Sequence, residues 1–151
     1  MKKFQFKFET VLKVKERKEE QLKRELMYIQ KLKIEQEQIL EKIGAERKKM
    51  HEQKGREKQG GTDISTLIYY EAYLNSLRAQ IARTEKRIKE FTEKADEKRV
   101  EVVEASREKK IFENLKDRHF SVFKKAVLSN EQKQLDEMAV NKYNRKEQHN
   151  Y

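Results

Sequence analysis

The residues best able to move a proton or hold a metal at neutral pH are three histidines, His51, His119 and His149. They lie far apart in the chain and none sits in a cluster of carboxylates, so no metal-ligand spacing can be read from them. There is no cysteine, which removes thiolate metal sites and disulfides. The glycine-bearing run KGREKQGG, Lys54 to Gly61, lacks the glycine spacing and the closing Lys-Ser/Thr pair of a phosphate-cradling loop. No cofactor and no enzymatic activity are therefore expected. The elements that carry these residues give the same answer, because two long helices paired side by side offer no concave pocket in which carboxylates could acquire shifted pKa values.

Composition points to such helices. Of 151 residues, 42% are charged and 35% hydrophobic, with no proline and four glycines. That is too little apolar material for a compact core, whereas a coiled coil needs only a narrow buried stripe. The formal charge is +10, and residues 1–60 hold 18 basic and 11 acidic residues, the larger share of the excess. Acidic residues are mixed with the basic ones throughout, which fits solvated helix faces better than a dedicated polyanion site. No stretch is long and apolar enough to span a membrane, and no signal-peptide core is visible, so a cytosolic chain is expected.

The main seam lies in the second half. Leu67, Tyr70, Leu74, Leu77, Ile81, Thr84, Ile88, Phe91, Ala95, Lys98, Val102, Ala105, Lys109 and Phe112 are spaced alternately three and four apart, and eleven of the fourteen are apolar. A 3.5-residue repeat demands a partner helix and a left-handed supercoil. The first half supplies one. Phe4, Phe8, Val11, Lys15, Lys18, Leu22, Glu25, Ile29, Leu32, Gln36, Ile39, Ile43, Glu46 and Met50 form a second seam. Phe4, Phe6 and Phe8 also alternate, as in a short extended segment, but the seam predicts helix one over about 4–53, with Phe6 outside it. Lys15 and Lys18 weaken this seam, and Leu12 falls off it.

The glycines place a turn over about 54–63, with Thr62 or Asp63 as N-cap. Helix two is expected over about 64–140, followed by a polar tail, 141–151. The fold class is thus all-α: one domain, 1–151, forming a long two-helix antiparallel coiled-coil hairpin about 100 Å or longer at 1.5 Å per residue. Helix two overhangs helix one, and Phe120, Val122, Phe123, Ala126, Val127 and Leu128 nearly encircle it where no partner helix remains. At its other end Ile68, Tyr69 and Tyr73 are apolar or aromatic but off the seam, an excess that suits a protein-binding patch.

Particular residues carry a resemblance along almost the whole chain. These are Phe8, Val11-Leu12 and Lys15-Glu16, then Tyr70, Tyr73, Leu74 and Leu77 after the turn, then Arg107-Glu108-Lys109-Lys110, Leu115-Lys116-Asp117-Arg118 and Leu135-Asp136-Glu137-Met138-Ala139 before a basic end. In their order and spacing the chain resembles the FliJ family, soluble stalk components of the flagellar type III export ATPase complex. The resemblance implies a non-enzymatic stalk, similar to the coiled coil of a rotary ATPase gamma subunit. Such a stalk binds the hexameric flagellar export ATPase, promotes its assembly and activity, and couples it to the export gate. Its end with both termini would enter the ring, placing Phe8, Leu12, Lys15, Phe120, Phe123, Val127, Asp136 and Glu137 at the ATPase. The cytoplasmic domain of the export-gate membrane protein would meet a patch early in helix two, Tyr69, Tyr73, Leu77, Gln80 and Thr84, of which the last two are more polar than the family pattern. Export chaperones are further implied partners. The chain would be a monomer when free, not membrane-spanning, and held peripherally at the membrane of the flagellar base. Two other readings of the residues are a general coiled-coil scaffold that dimerises through the overhang and a basic nucleic-acid-binding coiled coil. The second lacks a stacking platform or recognition helix, so no nucleic acid is expected.

Overall fold

The computed structural model describes residues 3–148. It is all-α, with two long helices, α1 (Glu9–Gly60) and α2 (Ile64–Gln148), forming an antiparallel hairpin. The contacts divide into two units. One, here the turn unit, holds Glu20–Glu104; the other, the terminal unit, pairs the chain up to Glu19 with the chain from Ala105 onward.

In the turn unit the predicted α2 seam is the buried face. Leu74, Leu77, Ile81, Thr84 and Ala95 are buried, Leu74 at 2% exposure, and Leu67, Tyr70, Ile88, Phe91, Lys98 and Val102 are half-buried. From α1 they are met by half-buried Leu22, Leu26, Ile29, Leu32, Gln36, Leu40, Ile43 and Met50. Lys54–Glu71 and Lys98–Glu25, the latter at 2.9 Å, tie the two helices, and their numbers run in opposite directions as an antiparallel pair requires. Lys98 also reaches Glu101 at 3.1 Å.

The turn is much shorter than the glycines suggested. Helix α1 runs through Gly55 to Gly60, and Gly61–Asp63 alone lie outside helix. A helical glycine costs roughly 1 kcal/mol without forcing a break, and a long paired helix absorbs that. The reversal needs one left-handed residue, Gly61 at φ 75°, a conformation that costs a side chain about 1–2 kcal/mol. Asp63 then caps α2. Its Oδ1 accepts from the Thr66 backbone N–H at 3.0 Å and the Thr66 hydroxyl at 2.7 Å, which hold its carboxyl below the ordinary range.

The terminal unit departs most from expectation. Helix α1 begins at Glu9, not Phe4, and Phe4–Phe8 form a non-helical strap. Inward positions of α1 are Leu12, Lys15 and Glu19, with Leu12 3% and Glu19 4% exposed. Val11 and Lys18 are exposed instead, and in the turn unit Leu40 replaces Ile39 in the same way. The seam was therefore one residue off at three positions. The reason is chemical. Glu19 is drawn in by Lys109 at 3.0 Å, and Lys15 by Glu108 at 2.8 Å, so ion pairs rather than apolar side chains occupy these layers. Glu9 and Lys116 make a further pair at 2.9 Å. Finally, α2 continues through the expected tail to Gln148, and every residue from Leu128 to Lys146 is exposed.

Two measurements test this account. Gly55 has open space around a built Cβ and an ordinary helical φ, whereas Gly61 has the positive φ. Gly55→Ala should stabilise the hairpin by about 0.5–1 kcal/mol, and Gly61→Ala should destabilise it by about 1–2 kcal/mol, in urea titrations followed by circular dichroism. The second concerns pH. The Lys98, Lys54 and Lys15 ammonium groups hold Glu25, Glu71 and Glu108 below the ordinary glutamate value of 4.5. Stability from depressed carboxyls is complete above that value and disappears as pH falls through the folded-state values. The melting temperature should therefore be level from about pH 7 to about pH 5 and fall below pH 4.5, and changing the three glutamates to Gln should flatten the fall. Glu25 and Glu19 raise Lys98 and Lys109 above 10.5, so their contribution is lost only in strong alkali.

Candidate functional site

No group of His, Cys, Asp or Glu among the described residues could hold a metal ion. His51 and His119 are exposed, and His149 lies outside the described residues. The His119 ring rests 5.7 Å from that of Phe6. Surfaces are what remain, and each unit offers one.

In the terminal unit the strap builds an aromatic cluster on α2. Phe8 meets Phe112 at 6.2 Å between centroids, Phe6 meets His119, and Phe4 meets Phe120 at 5.2 Å and Phe123 at 5.6 Å. Phe6, placed outside the seam by sequence, is 7% exposed. These residues are not helical: Phe4–Phe6 have no regular structure and Lys7–Phe8 form a turn that leads into α1. On α2 the stretch from Phe112 to Phe120 and Phe123 covers about 12–17 Å, and the non-helical strap brings Phe4, Phe6 and Phe8 each against a ring within it. The strap is anchored where Glu9 N–H donates to the Phe6 carbonyl at 3.2 Å and Leu12 N–H to the Phe8 carbonyl at 2.9 Å.

This changes the expected ATPase-facing set. Phe120 and Phe123 do not lack shelter within the chain, since Phe4 covers part of both, although Phe120 remains 50% exposed. Leu12 is core and Lys15 is spent on Glu108, so neither faces outward freely. Phe8 and Val127 are half-buried. Asp136 and Glu137 are exposed on the unaccompanied stretch of α2, Asp136 accepting from Gln132 at 3.0 Å. Beside them Leu128, Leu135, Met138, Val140 and Tyr143 are exposed apolar residues with no cover among the described residues. Sequence reading missed Phe4 and Phe6 as builders of this surface, although the alternation of Phe4, Phe6 and Phe8 was their signal.

In the turn unit the expected patch divides. Leu77 and Thr84 are each 4% exposed and belong to the helix–helix interface. They cannot form a surface, because they stand on the very seam that pairs the helices. Thr84 turns its hydroxyl onto the Gln80 carbonyl at 2.8 Å. Tyr73 is half-buried and donates to Glu46 Oε1 at 3.3 Å; burial, then the Glu46 carboxylate, pushes its hydroxyl above the ordinary range. Gln80 is half-buried, while Tyr69 is 67% exposed beside Ile64 and Ile68, also exposed.

The family described as flagellar FliJ protein matches residues 4–148. The chain belongs to the FliJ family. Curated proteins and solved structures returned no match. FliJ membership supports a role in the flagellar export apparatus. FliJ proteins are not enzymes, and this chain is not one. No helix among the described residues is long and apolar enough to cross a membrane.

Proposed function

We propose that this FliJ protein is the non-enzymatic stalk of the export apparatus, binding the hexameric export ATPase through its terminal unit and the export gate through the start of α2. The observation that carries the reading is the α2 stretch from Leu128, whose apolar residues have no cover among the described residues. Leu128, Leu135 and Met138 share one side of this stretch, and a partner that covered them would remove that apolar area from water. The strap rings and Phe120, Phe123 and Val127 would extend that surface. A ring of six like subunits around one asymmetric stalk suits many moderate contacts rather than one tight pocket. The excess positive charge would steer the approach in a salt-sensitive way. Export chaperones would be handled by the same protein, which would be a monomer when free, cytoplasmic, and held at the membrane only through its partners.

The gate surface is narrower than the resemblance implied. With Leu77 and Thr84 inside the hairpin, contact would fall on Tyr69, Tyr73 and Gln80, joined by Ile64 and Ile68.

Two experiments follow. Removing residues 128–151 leaves every interhelical ion pair and ring contact described above. The truncated chain should keep the melting behaviour of its hairpin and lose its stimulation of ATP turnover by the cognate ATPase. Stimulation equal to that of the full chain would show that this stretch of α2 is not the coupling element. Separately, Tyr69→Ala should weaken gate binding by about 5- to 30-fold, the usual cost of truncating an aromatic anchor, without changing ATPase stimulation. Gate affinity within twofold of the parent, measured by calorimetry, would remove Tyr69 from that surface.

A further inference from the structure

The strap leaves a hollow that the helices alone would not make. Phe4 and Phe6 wall it, Gln5 stands at its edge, and Glu9 and Lys116 close the other side, with a volume of about 500 Å³. The only carboxylate lining it is already neutralised, since Glu9 holds Lys116 through both oxygens, at 3.1 and 2.9 Å. The half-exposed ring of Phe120 adjoins it across Phe4. The hollow is thus open and mixed in character, two aromatic walls facing Gln5 and the Glu9–Lys116 pair, and it is wide enough for one large side chain.

Its surroundings are cationic. Residues 3–9 and 116–125 contain six basic residues, Lys3, Lys7, Lys116, Arg118, Lys124 and Lys125, against two acids, Glu9 and Asp117. Of the six, Lys116 alone is ion-paired among the described residues. Lys7 lies 5.8 Å above the Phe8 ring, and Lys3, Lys124 and Lys125 are exposed. An aromatic-walled hollow within segments rich in exposed basic residues suits a ligand with one large apolar side chain set among carboxylates.

Other polyanions fit less well. The rings meet one another edge-on, Phe4–Phe120 at 74° and Phe6–His119 at 68°. Stacking of single-stranded bases needs open ring faces. A membrane surface would need rings free to enter it, and Phe6 is buried.

We infer that the Phe4–Phe8 strap is a recognition element in its own right, whose hollow receives an apolar side chain from an acidic segment of the partner. This rests on the proposed ATPase reading and adds to it the chemistry of the contact. It also moves the α1-side determinant from Leu12 and Lys15, which the hairpin uses internally, to Phe4, Gln5 and the free lysines.

The test uses the full chain and its purified cognate ATPase. Gln5→Trp fills the hollow from an exposed position, and Lys3→Glu with Lys124→Glu reverses two exposed charges of the same segments without altering a ring residue. Each should weaken ATPase binding by about tenfold, and the charge reversal should flatten its salt dependence. Helicity and melting temperature should match the parent. The charge-reversed protein keeps the test sound should Gln5→Trp disturb the strap. If the parent binds and both variants bind equally well, the strap is not a recognition element and the inference falls while the ATPase reading stands. If the parent itself fails to bind, the ATPase reading falls first. Charge reversal that spares ATPase binding but abolishes retention on phosphatidylserine vesicles would assign the patch to a membrane and overturn the inference.

Discussion

A helical stripe only one or two side chains wide must be covered at each level or be left to water, and this constraint shapes every part of the chain. Each layer buries little, so pairing holds only where the layers run on without interruption. In the turn unit α1 does the covering, and the stripe of α2 contains the buried residues Leu74, Leu77 and Ile81. In the terminal unit α1 begins at Glu9, and Phe4, Phe6 and Phe8 continue the cover as a non-helical strap. From Leu128 no described residue takes over, and α2 stands fully exposed.

Within the terminal unit the cover is partly ionic. Glu19–Lys109 and Lys15–Glu108 fill layers that leucines could fill. Such pairs add little net stability, since desolvation offsets much of their attraction. They do distinguish registers. A slip of α2 by one heptad would set Glu19 against Val102 and Lys15 against Glu101, or Glu19 against Lys116 and Lys15 against Leu115. In either slip one charge faces an apolar residue in an interface where Glu19 is almost fully buried. An all-leucine seam would not distinguish these registers, and an aromatic strap that must find Phe112, His119 and Phe120 depends on the right one.

What could be read from the sequence follows the same division. The α2 seam was legible because fourteen positions in strict 3.5 spacing leave no rival face, and all fourteen are buried or half-buried. The α1 seam was legible in its existence and not in its phase. A count of apolar residues prefers Val11 to Leu12 only if Lys18 is accepted inside, and it cannot see that Lys109 makes Glu19 the better choice. Glycines misled because propensity is local, while pairing along a whole helix carries Gly55 and Gly60. The strap was misread because one heptad count through Phe4 and Phe8 outweighed an alternation of three rings. Two of the five candidate gate residues, Leu77 and Thr84, are buried for a related reason: they lie on the seam and face the partner helix.

The distribution of apolar residues on the uncovered part of α2 bears on what kind of partner could cover it. At 100° per residue, Leu128 and Met138 lie within about 20° and 60° of Leu135, on one side of the helix. Tyr143 is about 80° away and Val140 about 140° away, nearly opposite, and all five are exposed. A second helix or a flat groove would cover the Leu135 side and leave Val140 in water. A partner that surrounds the helix covers every side, and it does so with many shallow contacts because no one face is apolar throughout. Lys133, Asp136, Glu137, Lys142 and Arg145 interrupt the apolar surface around the circumference, so the lining of such an enclosure must alternate in charge as the helix does. This requirement supports a central hole in a ring over a groove on a surface.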